Sequence, residues 1–310
     1  MSVRQLSVPV GDGLDQAAII DTRLPVYVGD GFVMDPTKAR EFGARLADSY
    51  CTADPYPHIV IDNFLPATLA EALLKGFPVA PARANVVSLR NRTFEHKKRQ
   101  ILPVECSNYV RRVFGFLNSA AVLAFLESLT RIEGLIADPY FEGGGFHEIA
   151  RGGKLELRTD FRPHRNPRLT RRLNLMIYLN KNWEEDYRGH LELWDKSAKR
   201  KVHSIAPLFN RCVVFSNAQD SYHGHPDPLN VPANRTRKSM ALYYYTASAT
   251  PCEATPAPGP AVVARPHDLA QSEPRALRPN TRNHFSLVEV LPPMLYRALR
   301  AMKYRFRTPQ

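Results

Sequence analysis

Asp160 and His223 stand 63 residues apart in this chain, and Arg237 and Ser239 follow soon after. Each lies in or beside a short run with the alternation of a β-strand. A carboxylate and an imidazole that converge inside a barrel suit a non-haem iron with open coordination positions. Arg237 and Ser239, two residues apart on one strand, point to the same face. An arginine on an inward face requires an anion, and a bidentate guanidinium–carboxylate contact supplies one. Taken singly, Asp160 is an ordinary turn aspartate and His223 an ordinary core histidine. Arg158 alternates onto the face of Asp160, which places the two to form a salt bridge.

The elements that must position these residues begin near Gly143-Gly144-Gly145. Eight short strands are predicted, at about 146–150, 154–158, 172–179, 189–194, 201–206, 211–216, 221–225 and 238–246. Leu173 to Leu179 and Met240 to Thr246 carry the clearest patterns. Turn chemistry separates the strands: Arg151-Gly152-Gly153, Asp195-Lys196-Ser197, and a Pro- and Asn-rich stretch from Pro226 to Asn234. Eight strands without an intervening helix predict a jelly roll or a related sandwich. Asn174 and Tyr178, four residues apart, share one face of the third strand.

Before the strands the pattern is mainly helical. Asp35-Pro36 reads as an N-cap with proline at the first helical position, opening a helix to about Tyr50. His58 to Ile61 is a short strand, and Leu69, Leu73, Leu74 and Phe77 mark a second amphipathic helix. A third helical pattern runs from about Asn108 to Leu129. After Thr246 the composition turns to Ala and Pro, and Pro293 to Arg305 forms a terminal amphipathic helix with Arg297, Arg300 and Lys303 largely off its apolar face. The expected organisation is a helical N-terminal cover over 1–139, a barrel over 140–247 and a Pro-rich tail over 248–310. The terminal helix either docks on its own domain or rests weakly on an anionic membrane surface.

Composition bounds the rest. Hydrophobic residues make up 44% and charged residues 23%, values of a globular protein. No apolar run is long enough to span a membrane and no signal pattern opens the chain, so a cytoplasmic location is expected. Cys51, Cys106, Cys212 and Cys252 are too scattered for a zinc or redox pair. The net charge of +12 favours anionic partners, but the basic clusters lack the interleaved aromatics of a nucleic-acid motif, and nucleic acid is not expected as a partner. The run Arg162–Arg172 is read as a solvated loop near the barrel mouth.

Several ordered blocks together resemble the prolyl-4-hydroxylase-type iron(II)/2-oxoglutarate-dependent dioxygenases. They are Gly143-Gly144-Gly145-Phe146-His147, Thr159-Asp160-Phe161, Arg172 to Trp183, Gly189 to Trp194, Ser221 to Pro226 and Arg237-Lys238-Ser239, with Tyr56 to Leu65 upstream. The resemblance covers about residues 55–247. It implies a double-stranded β-helix, iron(II) held by a His-x-Asp pair and a distal His, 2-oxoglutarate as co-substrate, and ascorbate as an auxiliary reductant. Carried over by position, Asp160 and His223 are metal ligands, Arg237 and Ser239 hold the co-substrate, and Tyr178 and Asn174 line its site. The implied activity is hydroxylation of a C–H bond in a peptidyl residue or a small metabolite.

One position departs from the family pattern. Arg158 stands where the first His of the His-x-Asp pair belongs, and a guanidinium offers no lone pair to a metal and repels it. Thr159-Asp160-Phe161 and the preceding Gly-Gly turn fix the register. Three consequences are open: His147 or His164 replaces the lost ligand; Arg158 gives way and a weakened site survives; or the domain is a non-catalytic protein that binds a 2-oxo acid or a partner protein. Halogenating relatives lose the Asp and keep the His, the opposite change, so halogenation is not expected.

Overall fold

The computed structural model describes residues 19–21, 23–79, 95–160, 169–247, 261–263 and 265. His164, the basic residues 162–168 and the terminal helix expected at 293–305 lie outside these residues. In chain order the elements are β1 (Ile19–Asp21), β2 (Tyr27–Val28), β3 (Phe32–Val33), α1 (Pro36–Cys51), β4 (His58–Asp62), α2 (Ala67–Lys75), β5 (Glu95–Ile101), α3 (Asn108–Leu117), α4 (Ala120–Thr130) and β6 (Ile136–Ala137). They continue with β7 (Gly145–Thr159), β8 (Leu169–Tyr178), β9 (Leu191–Trp194), β10 (Lys201–Ile205), β11 (Cys212–Ser216), β12 (His223–His225), β13 (Arg237–Ala247) and β14 (Ala261–Val262).

Alternation of side chains builds the β framework. On β8, Leu173, Leu175 and Ile177 point outward, together with Cys212 and Val214 of β11 and Met240, Leu242 and Tyr244 of β13. That apolar face packs against α1, α2, α3 and α4 through Phe42, Leu46, Leu69, Leu73, Val113, Leu117, Phe125 and Leu129. The opposite parity points inward: Tyr178, Val60, Val213 and Phe215 meet Leu191 and Leu193 of β9 and Ile205 of β10. Two sheet layers therefore face each other across an interior, and helices cover the outer side of one of them. Hydrogen-bonded neighbours run β1-β4-β11-β8-β13-β7-β12-β9-β10, with β5 and β14 on β7 and β6 on β13. All the pairings within this framework are antiparallel except β1 with β4. The fold is a double-stranded β-helix.

One expectation about the strands is corrected. The segments 146–150 and 154–158 belong to one strand of 15 residues, in which Gly152 and Gly153 form an irregularity bonded to Leu229 instead of a reversing turn. Its first part pairs with β13 and its last part with β12, so β7 passes from one layer into the other. The strand β5, Glu95-His96-Lys97-Lys98-Arg99-Gln100-Ile101, adds to β7 although its sequence has no apolar alternation. The helical pattern from Asn108 to Leu129 likewise divides into two helices at Asn118-Ser119, where Asn118 caps α3.

The helical cap signal at the start of α1 is realised as read: the Asp35 carboxylate accepts from the backbone N–H groups of Thr37 and Lys38. Near the other end of the sheet, Asn210 sits at φ 61° just before β11 and is buried. Its side chain accepts from the Leu65 N–H at 3.0 Å and donates to the Leu65 carbonyl at 2.7 Å, which fastens this turn to the end of β4. Among the described residues no single helix is long and apolar enough to cross a membrane.

Candidate functional site

The predicted residues meet on the inner face of the barrel, in two groups strung along β8. At one end is Asp160, just beyond β7. Its Oδ1 lies 3.1 Å from Nε of Arg158, and its Oδ2 lies 3.5 Å from Nε2 of His223 and 3.8 Å from Nη1 of Arg171. Asn174 of β8 reaches Oδ2 at 3.5 Å, and Asn217 donates to the Asn174 side-chain oxygen at 2.8 Å. All these side chains are buried; Asp160 and Arg171 are each 3% exposed. The salt bridge anticipated from the shared face of Arg158 and Asp160 is present.

Local backbone structure explains why His223 comes so close. It pairs directly with Arg158 across the ladder, and its Nδ1 contacts the Ser221 carbonyl at 3.0 Å, which orients Nε2 toward Asp160. Gly224 makes that approach possible: a Cβ there would meet the Leu155 and Glu156 carbonyl oxygens at 2.9 and 3.0 Å. Any side chain at 224 would push β12 away from β7.

Burial opposes ionisation of Asp160, but the adjacent charge of Arg158, hydrogen bonding with His223 and the charge of Arg171 outweigh it. They hold its carboxyl well below the usual carboxylate range. Arg171 is itself pinned: its guanidinium stacks over the Tyr243 ring at 3.8 Å and donates to the Tyr245 hydroxyl and the Glu142 carbonyl. Sequence reasoning placed Arg171 in a solvated basic loop and did not single out Asn217. The signal for Arg171 was available in Tyr243 and Tyr245, aromatic residues of one face with a bulge beside them.

The second group lies where Tyr178, Ser239 and His147 stand opposite one another on β8, β13 and β7. Arg237 is 2% exposed, donates from Nε to the Gly189 carbonyl at 2.8 Å and from Nη2 to the Tyr178 hydroxyl at 3.3 Å. Gly189 takes φ 73°, and a Cβ there would strike Leu229 at 2.3 Å, so the carbonyl that braces Arg237 depends on glycine. No carboxylate of the described residues meets the Arg237 guanidinium, and the buried Ser239 Oγ has no hydrogen-bond partner there. A buried cation and a buried hydroxyl in this state fit an incoming carboxylate.

The same test gives a different result for iron. Among the described residues no group of three or more His, Cys, Asp and Glu side chains is placed to hold a metal. His147, one of the two candidates for a replacement ligand, lies apart from Asp160. It lies eleven residues before Arg158 on β7, about 36 Å of extended chain. Its Nε2 contacts the Gly143 carbonyl at 2.8 Å, at the Ser239 end of the barrel. Asp160 and His223 are thus two donors faced by two guanidinium groups, a set that does not fit a divalent cation.

Comparison with known families fits this geometry. Residues 144–245 match the 2OG-Fe(II) oxygenase superfamily. The matched residues are those of the barrel, from β7 to β13. Solved structures similar to this chain include a Pseudomonas putida prolyl-4-hydroxylase, at 18% identity and TM-score 0.43, over 66% of this chain and 99% of that one. Another is a Trichoplax adhaerens prolyl hydroxylase in complex with a hypoxia inducible factor oxygen degradation domain peptide fragment. It has 19% identity and TM-score 0.46, over 67% of this chain and 91% of that one. A third is HygX from Streptomyces hygroscopicus with nickel, 2-oxoglutarate and hygromycin B bound, at 12% identity and TM-score 0.40, over 61% of this chain and 82% of that one. No curated protein matches the chain.

Proposed function

We propose that this oxygenase-superfamily domain binds a 2-oxo acid through Arg237, Ser239 and Tyr178, and that the Arg158–Asp160 ion pair takes the place of the metal. The observation that carries the reading is that pair itself: 3.1 Å apart, buried, with Arg171 and His223 on the other carboxylate oxygen. A charge-neutralised carboxylate is a poor ligand, and a fixed guanidinium beside it repels a dication. Meanwhile the end of the site that would receive a carboxylate keeps a buried arginine that meets no carboxylate among the described residues. The domain then acts by binding, as a sensor or carrier of a 2-oxo acid.

A second reading has one observation in its favour. Asp160 and His223 still converge within 3.5 Å on the inner face, the two residues that the family pattern makes ligands. If Arg158 withdraws, the chain becomes an iron(II)/2-oxoglutarate-dependent oxygenase that hydroxylates a peptidyl residue or a small metabolite. Anaerobic titration of iron(II) in the presence of 2-oxoglutarate separates the two. The visible charge-transfer band of a bidentate iron complex should not appear, while 2-oxoglutarate binding persists in a chelator. A band that saturates near one iron per chain would overturn the metal-free reading and establish the second.

A further inference from the structure

The buried charges of the barrel interior do not balance. Arg158, Arg171 and Arg237 are 7, 3 and 2% exposed, and the carboxylate shared by the first two is the single one of Asp160, 3% exposed. The other buried acids of the described residues have contacts of their own. Glu192 meets Lys201 and the Trp194 indole, and the Asp138 carboxylate accepts from the backbone N–H groups of Tyr140 and Glu142. Among the described residues that one carboxylate serves both Arg158 at 3.1 Å and Arg171 at 3.8 Å, while Arg237 meets the Gly189 carbonyl and the Tyr178 hydroxyl and no carboxylate. Three buried cations thus face one buried anion among these residues, an arrangement that favours an added anion.

Arg171 and Arg237 stand at opposite ends of one strand face. Asn174 touches Asp160 beside Arg171, and Tyr178 touches Arg237. Asn174 and Tyr178 are four residues apart on β8, about 13 Å along the strand. Met176, between them on the same face, offers an apolar wall, and the Tyr178 hydroxyl lies 4.0 Å from its sulfur. Polar ends flanking an apolar middle match a short dicarboxylate with a methylene spacer.

From this we infer that the site takes a dicarboxylate dianion without metal, one carboxylate on Arg237, Ser239 and Tyr178 and the other on Arg171 and Arg158 at the Asp160 end. The inference rests on the metal-free reading of the pocket and adds a second anion subsite to it. Arg171 suits the role because its Nε and Nη2 are bound to the Tyr245 hydroxyl and the Glu142 carbonyl, which leaves Nη1 directed to the Asp160 end. Arg158, at the lost ligand position, then serves as an anion ligand where a metal ligand once stood.

The test is calorimetric titration of the full chain in EDTA with 2-oxoglutarate, glutarate and 4-oxopentanoate. The last keeps the distal carboxylate and the ketone of 2-oxoglutarate and replaces the other carboxylate with methyl. Both dianions should bind, and 4-oxopentanoate should bind about ten- to a hundredfold more weakly, the loss of one charge-assisted contact. Arg171→Gln should remove that difference, and Arg237→Gln should weaken all three ligands. Equal binding of 2-oxoglutarate and 4-oxopentanoate, both dependent on Arg237, would overturn the second subsite and leave the 2-oxo-acid pocket standing. Binding of 2-oxoglutarate only when iron(II) is added, or no binding under either condition, would overturn both. The comparison of ligands on the unaltered protein decides the matter even if a variant fails to fold.

Discussion

Replacing Asp160 with asparagine tests the electrostatic account of the site, because the sign of the effect depends on what surrounds the carboxylate. Asn keeps the shape and removes the charge. At an effective dielectric constant of about 20, attractions across 3.1 and 3.8 Å are worth about 5 and about 4 kcal/mol. Against this stands the cost of burying a carboxylate, several kcal/mol. The substitution also leaves Arg158 and Arg171 buried beside a neutral amide. The net expected loss is about 4 kcal/mol, in line with breaking one partner out of a buried ion pair. For a domain of this size that is a drop in Tm of roughly 8–16 °C. A carboxylate kept for an absent cation and lacking counter-charges would give the opposite sign, since neutralising it relieves the burial cost. Thermal and urea unfolding of the metal-free protein at pH 7 read the difference directly. An Asp160→Asn protein as stable as the parent, or more stable, would refute the closed charge cluster. In the double variant with Arg158→Gln, part of the loss should return, because one stranded cation is removed with its anion.

Three further outcomes follow from the geometry. Arg158→His should create a His-x-Asp pair and bind iron(II) with 2-oxoglutarate; an unchanged lack of the charge-transfer band would mean that Arg171 also blocks the metal. His58 is buried and its imidazole pKa is pushed down from 6.5 to about 4, chiefly by burial, with its Nδ1 on the Tyr56 carbonyl and His203 4.9 Å away. The unfolded chain therefore binds the extra proton first, and stability should fall by about 3 kcal/mol as pH drops from about 6.5 to about 4. Asp160, held well below its usual range, contributes its share fully above about pH 4 and loses it only in stronger acid. His58→Phe should flatten the slope between pH 6.5 and 4 in denaturation curves, and an unaltered slope would locate the titration elsewhere. Asn210→Ala removes both contacts to Leu65 and a residue suited to φ 61°, and should cost about 2–4 kcal/mol by urea unfolding; a loss under about 1 kcal/mol would show the turn is held by other means.

The inner-face residues were legible because alternation fixes direction. Once Leu173 to Leu179 is a strand with its leucines and Ile177 on a helix-covered face, Asn174 and Tyr178 have nowhere to point but inward, and the same holds for Arg237 and Ser239 against Met240 and Leu242. The helix cap at Asp35 was equally readable, since that contact is local. Elements defined by distant partners were not. β5 is a strand because β7 has a free edge there, and its charged sequence with Lys97 at φ 51° carries no periodicity to announce it. Gly152-Gly153 reads as a turn, yet β7 is paired on both sides of it, and the pair makes a shift of register within one strand instead of a reversal. Arg171 was the costliest omission: a basic run looks solvated from the sequence, and only the pairing of β8 with β13 lays its guanidinium on Tyr243. His147 stands opposite Ser239 toward the other end of the same strand, a distance that alternation alone does not give.

That strand has a consequence for how the molecule breathes. Amide protons along β7 are shared among β5, β13, β12 and β14, so neither sheet layer can separate from the other without breaking the same 15-residue segment. Hydrogen exchange should therefore show Arg158 protected to nearly the depth of Phe146, with the unpaired stretch 150–153 between them less protected.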